Sequence, residues 1–177
     1  MYIALYIILS ISVLLLILGL LAPKRYELNR SIVINRPLQE VFEYLRYIKN
    51  QDDWSPWKKK DPNMKQSFSG TDGEVGFISK WEGDKTVGSG EQEIKRIIDN
   101  ECIETELRFL KPWKSQSDAY IRAVGLESDQ TNVTWGFSGR NEFPFSIFML
   151  FMNMDKAVGK DFEEGLNNLK QLLEHGK

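Results

Sequence analysis

The feature that most constrains this chain is a series of six short segments of alternating apolar and polar residues, at 64–69, 76–82, 88–98, 102–110, 117–126 and 131–138. The breaks between them are turn-formers: Gly70-Thr71-Asp72-Gly73, Gly83-Asp84-Lys85, Asp99-Asn100, Lys111-Pro112-Trp113-Lys114 and Ser128-Asp129-Gln130. Strands joined by turns this short predict an antiparallel meander. Period-two alternation sorts the side chains onto two faces. Phe77, Ser79 and Trp81 oppose Ile78 and Lys80; Gln92 and Ile94 oppose Glu91, Glu93 and Lys95. Ile103, Thr105, Leu107 and Phe109 oppose Glu104, Glu106 and Arg108, and Val133, Trp135 and Phe137 oppose Asn132 and Thr134. One face is apolar and the other charged, as in a sheet covered on one side only. In residues 118–126 the two faces are alike, and alternation assigns no inner one.

A cover for that sheet is expected from residues 143–174. Phe148, Phe151, Met154, Val158, Phe162, Leu166, Leu169 and Leu173 recur at three- and four-residue steps, which places them on one side of a helix. Read as one helix of about thirty residues it would be roughly 45 Å long. Pro144 suits its first turn, and Gly176 is placed for a left-handed cap. Its first half, with Phe145, Phe148, Met149, Phe151, Met152 and Met154, is apolar on more than one side. That excess predicts the mouth of a cavity or a contact with a membrane surface.

Residues 2–22 carry no charge and are apolar enough to span roughly 30 Å of hydrocarbon. No Lys or Arg precedes the run, and Pro23-Lys24-Arg25 follows it where a signal peptide would have a small-residue cleavage site. The reading is a retained transmembrane helix over 1–23 and a globular domain over 24–177. Lys24, Arg25, Arg30 and Arg36 favour the cytoplasmic side for that domain.

Between anchor and meander, residues 26–34 read as a first strand. Asn35 is placed to cap a helix that Pro37 opens, with Val41, Phe42, Leu45 and Ile48 as its apolar face. Trp54-Ser55-Pro56-Trp57 reads as a rigid apolar turn, either a lid packed on the core or the wall of a ligand entrance. Lys58, Lys59 and Lys60 read as a solvated loop.

Composition excludes much chemistry. The single histidine, His175, lies in the tail, so histidine triads and multi-histidine metal sites are excluded from the domain. The single cysteine, Cys102, forms no intramolecular disulfide. A net charge of −2 argues against general nucleic-acid binding. No metal-ligand spacing or cofactor motif is present, and neither a metal nor a cofactor is expected. Glu91/Glu93 and Glu104/Glu106 fall on the charged face, and Arg96 and Arg108 have no obvious acidic partner in the pattern.

Strand, short helical region, six further strands and long last helix, in that order, resemble the START-like helix-grip superfamily and its polyketide cyclase/dehydrase-type (SRPBCC) members. The resemblance runs from about residue 27 to 173. It rests on Ser31-Ile32-Val33-Ile34-Asn35-Arg36-Pro37 leading to Val41-Phe42, on Trp54-Ser55-Pro56-Trp57, Gly73-Glu74-Val75-Gly76 and Trp81-Glu82-Gly83. Gly88-Ser89-Gly90, Thr134-Trp135-Gly136-Phe137 and the stretch from Asp155 to Leu166 complete it. It implies an α+β fold, a curved antiparallel sheet of about seven strands wrapped on the last helix, with a cavity between them. In relatives that cavity commonly takes lipids, sterols or aromatic polyketides.

The expected function is a membrane-anchored binding domain for a hydrophobic small molecule or lipid, held by residues 2–22. Candidate cavity residues are Trp54, Trp57, Phe77, Trp81, Gln92 and Ile94, then Thr105, Leu107, Phe109, Trp135 and Phe137 on the sheet side. Phe148, Met152 and Phe162 join them from the helix. No catalytic residue is assigned, because the inward polar groups Ser79, Gln92 and Thr105 do not titrate near neutral pH. The alternatives are an enzyme of the cyclase/dehydrase type and a co-chaperone-like interaction domain with a vestigial cavity.

Overall fold

The alternating segments become strands of a single sheet: β1 (Arg25–Ile34), β2 (Lys65–Ser69), β3 (Ile78–Glu82), β4 (Ser89–Ile98), β5 (Cys102–Lys111), β6 (Ser115–Leu126) and β7 (Gln130–Arg140). The computed structural model describes residues 2–127, 129–141, 143–150 and 153–176. All neighbouring strands are antiparallel in the order β1-β7-β6-β5-β4-β3-β2. The meander runs from β2 to β7, and β1 then pairs with β7, Leu28 opposite Phe137.

The inner face reads in rows across the strands. Phe77, Ile94, Thr105, Ala119, Phe137 and Leu28 form a buried row through the middle. Ile103, Ile121 and Trp135 form the next. The strand that alternation left open is settled: Ser117, Ala119, Ile121 and Ala123 are buried, while Tyr120 points outward and donates to Glu27 Oε1 at 3.2 Å. A register shift between Ile94 and Arg96 leaves Lys95 without a partner on β5. Beyond this bulge Ile97 lies opposite Ile103, so Ile94 and Ile97 both face inward despite their odd spacing.

Among the described residues five α-helices accompany the sheet: α1 (Tyr2–Leu21), α2 (Leu38–Arg46), α3 (Gln51–Trp54), α4 (Pro56–Lys60) and α5 (Lys160–His175). Helix α2 buries Val41, Phe42 and Leu45. Asn35 does not cap it: Pro37 occupies the cap position, and the Asn35 carboxamide instead accepts from Gln130 Nε2 at 2.7 Å. Trp54-Ser55-Pro56-Trp57 is not a simple turn but the join of α3 and α4. Ser55 is extended (φ −69°, ψ 138°), as the residue before a proline tends to be. Lys58, Lys59 and Lys60 belong to α4 instead of a loop. Lys58 Nζ donates to Met64 O and Gln66 Oε1, and Lys60 Nζ pairs with Asp161 at 2.6 Å.

The long last helix is shorter than expected. Residues 145–150 form a separate 3-10 segment, Phe145–Leu150; a wide turn, Asp155–Gly159, then leads into α5. The start is set by Asn153, whose side chain accepts from the Lys156 N–H at 3.1 Å and satisfies one of the unpaired donors of a helix N-terminus. Gly176 is not left-handed (φ −64°). The far end is tied down instead by the sheet connection. Arg36 donates to Leu173 O and Glu174 O, and Glu174 Oε1 accepts the Asn35 N–H at 2.6 Å.

Helix α5 lies over β1 and β7 and touches α3 and α4. Phe162, Leu166 and Leu169 are buried there. Trp135 stacks on Phe162 with ring centroids 4.1 Å apart, and Trp54 meets Trp135 edge-on at 4.8 Å. Asn168 Nδ2 donates to Trp54 O, linking α5 to α3. On the outer face, Arg108 corrects the expectation that it lacks an acidic partner. It reaches Glu91 at 2.6 Å, Glu93 at 2.7 Å, and Glu106.

Candidate functional site

Because α5 covers the β1–β7 side, burial along the inner face is uneven. Row by row toward the end of the sheet where β1 begins and β7 ends, it falls. The middle row is closed. The next is Ser79, Gln92, Leu107, Ser117 and Tyr26, and the last is Trp81, Gly90 and Phe109. Trp81, Gln92, Leu107, Phe109 and Tyr26 are only half-buried. The result is a concave surface over β3, β4 and β5 with an aromatic floor.

That floor depends on Gly90. The Trp81 ring lies across it, and a Cβ there would sit 2.6 Å from Cζ2 and 2.5 Å from the Arg108 carbonyl oxygen. Glycine therefore lets Trp81 lie flat over β4 and meet Phe109 edge-on, centroids 5.9 Å apart. Polar groups edge the floor. Gln92 Nε2 donates to Thr105 Oγ1 at 3.1 Å, and the Tyr26 and Ser117 hydroxyls are 2.7 Å apart. At the β2 edge, Gln66 Nε2 donates to Asp52 Oδ1 at 2.9 Å. An apolar surface with a few fixed polar groups is what a hydrophobic ligand with one polar end requires.

The candidate residues thus fall into two sets. Trp54, Phe77, Ile94, Thr105, Trp135, Phe137 and Phe162 are buried, all but Thr105 as part of the continuous hydrophobic core. Trp81, Gln92, Leu107 and Phe109 line the concave surface together, and Trp57 is half-buried on α4 with Lys60 Nζ 4.5 Å from its ring centre. Phe148, by its side chain, and Met152 lie outside the described residues. Alternation missed Tyr26 and Ser117, the first for lying in a strand with a charged surround, the second for lying in the ambiguous one. Their signal was the pairing of β1 with β7 and of β7 with β6, a long-range contact.

Of the titratable groups, Cys102 is buried on the other side of the sheet, and burial pushes its thiol up. It is an inert packing residue. The Arg108 guanidinium, through its hydrogen bonds, holds the Glu91 and Glu93 carboxyls below the usual range, and Lys80 and Lys95 add to this. Those groups are on the outer face, away from the concave surface. Among the described residues no group of His, Cys, Asp and Glu is arranged to hold a metal ion.

No family model and no curated protein matches this sequence. Solved structures do. Norcoclaurine synthase from Thalictrum flavum superposes with a TM-score of 0.63 at 10% identity, covering 86% of this chain and 96% of that one. The Aha1 dimer from Colwellia psychrerythraea matches with a TM-score of 0.53 at 20% identity, covering 86% and 98%. A structural-genomics protein from Nitrosospira multiformis gives 0.62 at 16%, covering 85% and 97%. The fold is the START-like helix grip. In this helix grip the last helix holds the β1–β7 side of the sheet and leaves the β3–β5 side concave. Similarity at these identities establishes architecture alone, so the activity must be argued from the site.

Proposed function

We propose that this helix grip is a membrane-anchored binding domain for a hydrophobic small molecule or lipid. The observation that carries the proposal is the half-buried aromatic surface of Trp81, Leu107 and Phe109, with Gln92, Tyr26 and Ser117 at its edge. The direction of that surface supports the membrane part. It opens at the end of the sheet where β1 starts, with only three residues between it and α1. Helix α1 buries none of its twenty residues, and so long a mostly apolar, mostly exposed helix would be strongly unfavourable in water. The β5–β6 turn, with Trp113 71% exposed between Lys111 and Lys114, lies at the same end. An aromatic residue flanked by lysines suits a membrane–water interface.

A catalytic role is the second reading, since a synthase shares the fold. Among the described residues of the concave surface, the polar groups are amides and hydroxyls. These hold a ligand by hydrogen bonds more readily than they move protons at neutral pH. Purifying the full chain from membranes and identifying co-purifying molecules by mass spectrometry tests the proposal. Recovery of the same amphiphile, lost in a Phe109→Asp variant, is expected. Repeated recovery of a folded, empty protein that also takes up no added lipid would overturn it.

A further inference from the structure

We infer that the junction of α1 with the sheet is a second site, distinct from the concave surface, that binds the phosphate headgroup of an anionic phospholipid. A groove of about 840 Å³ lies there. One wall is α1, with Leu15, Leu16 and Leu20; the other end is polar, with Lys24, Arg25 and Arg140.

The backbone forces those three cations together. Asn141 N donates to Lys24 O at 3.0 Å, and Arg25 lies directly opposite Arg140 in the β1–β7 ladder. Like charges opposed across a strand pair are destabilising unless an anion lies between them. Among the described residues none of the three forms an ion pair with a carboxylate. An anion that accepts from the two guanidiniums and the Lys24 ammonium fits this end of the groove.

The apolar wall chooses the source of that anion. From Ser12 to Leu20 the helix rises about 12 Å, the reach of a substantial part of an acyl chain. Free phosphate would meet the cations and leave the wall bare; a phospholipid covers both. This inference rests on the proposed membrane anchor, because only then do the wall and the cations sit at acyl and headgroup depth.

The test uses the full chain in lipid nanodiscs. Native mass spectrometry counts retained phosphatidylglycerol against phosphatidylcholine as the surrounding lipid is stripped. The wild-type chain should retain phosphatidylglycerol in preference, and R25Q/R140Q should lower that preference by roughly thirtyfold, from about 1 kcal/mol for each of the two basic residues at a membrane surface. R25K/R140K should keep most of it, which separates charge from a structural role. Equal retention of both lipids, or an unchanged preference in R25Q/R140Q, would overturn the inference. Displacement of phosphatidylglycerol by millimolar inorganic phosphate would overturn the lipid assignment in favour of a free-anion site. Alkaline carbonate extraction separates the two levels: release of the chain from membranes removes the anchor itself, whereas a retained but lipid-indifferent chain removes only this site.

Discussion

Gly165 of α5 lies against the Trp135 ring of β7 so closely that a Cβ there would sit 2.8 Å from Cζ3. Pro56 and Trp54 close the same space from the other side. The missing side chain is what lets the helix reach the sheet at the Trp54–Trp135–Phe162 cluster. Gly165→Ala would ordinarily favour a helix, but here it overpacks three rigid rings. We expect it to destabilise the domain by about 1–3 kcal/mol, read by urea denaturation. A more stable variant would show that the contact is loose.

Trp135 tests whether that cluster is core or cavity wall. It is 7% exposed and stacked on Phe162. Trp135→Ala is expected to cost about 3–5 kcal/mol, as for a packed aromatic residue. A loss under about 1 kcal/mol would place Trp135 beside open space, since no new cavity would be made.

Phe109 tests the opposite end of the inner face. It is half-buried, so Phe109→Ala should lower stability less than Trp135→Ala while weakening binding of a fluorescent fatty-acid probe by tenfold or so, about 1.4 kcal/mol. Matched losses of stability and binding would mean that the residue is ordinary core.

The Arg108 cluster predicts a pH dependence. Glu91 and Glu93 have their folded-state pKa values lowered, chiefly by hydrogen bonds from Arg108. A lowered carboxyl contributes stability that is present above the ordinary carboxylate pKa and is lost as pH falls through the folded value. Arg108→Met should therefore cost about 1–2 kcal/mol at pH 7, a range tempered by partial exposure of the pairs. It should also flatten the loss of stability below about pH 4.5, the region where carboxylates titrate. Equal acid slopes for the variant and the parent chain would show that the three contacts carry no linked protons.

Trp113 tests how the domain sits. In vesicles, the full chain should show Trp113 emission shifted to the blue and quenched by brominated acyl chains, measured as the difference from Trp113→Phe. Full accessibility to an aqueous quencher would mean that the open end of the sheet does not face the bilayer.

The alternation of Phe77, Ser79 and Trp81, or of Ile103, Thr105 and Leu107, determined by itself which side of each strand is buried. Successive side chains of a strand point to opposite faces whatever the strand pairs with. The helical spacing of Phe162, Leu166 and Leu169 did the same for α5, and the uncharged run of residues 2–22 marked out the long apolar helix α1. The tertiary structure alone decided what depends on partners distant in the chain. Alternation left 118–126 open because Ala119 and Ala123 differ too little from Val124 on the other side; burial against Phe137 and Val133 decided it. Arg108 looked unpaired because its acids lie on another strand and two residues away, and only register brings them to one point. The last helix looked continuous because apolar spacing persists through residues 145–152, whereas its start is fixed by the hydrogen bond of Asn153, a local contact too small to alter the periodicity. The concave surface, finally, comes from where α5 stops covering the sheet. Periodicity gives a face but not the extent to which a neighbour covers it, so that boundary is a property of packing.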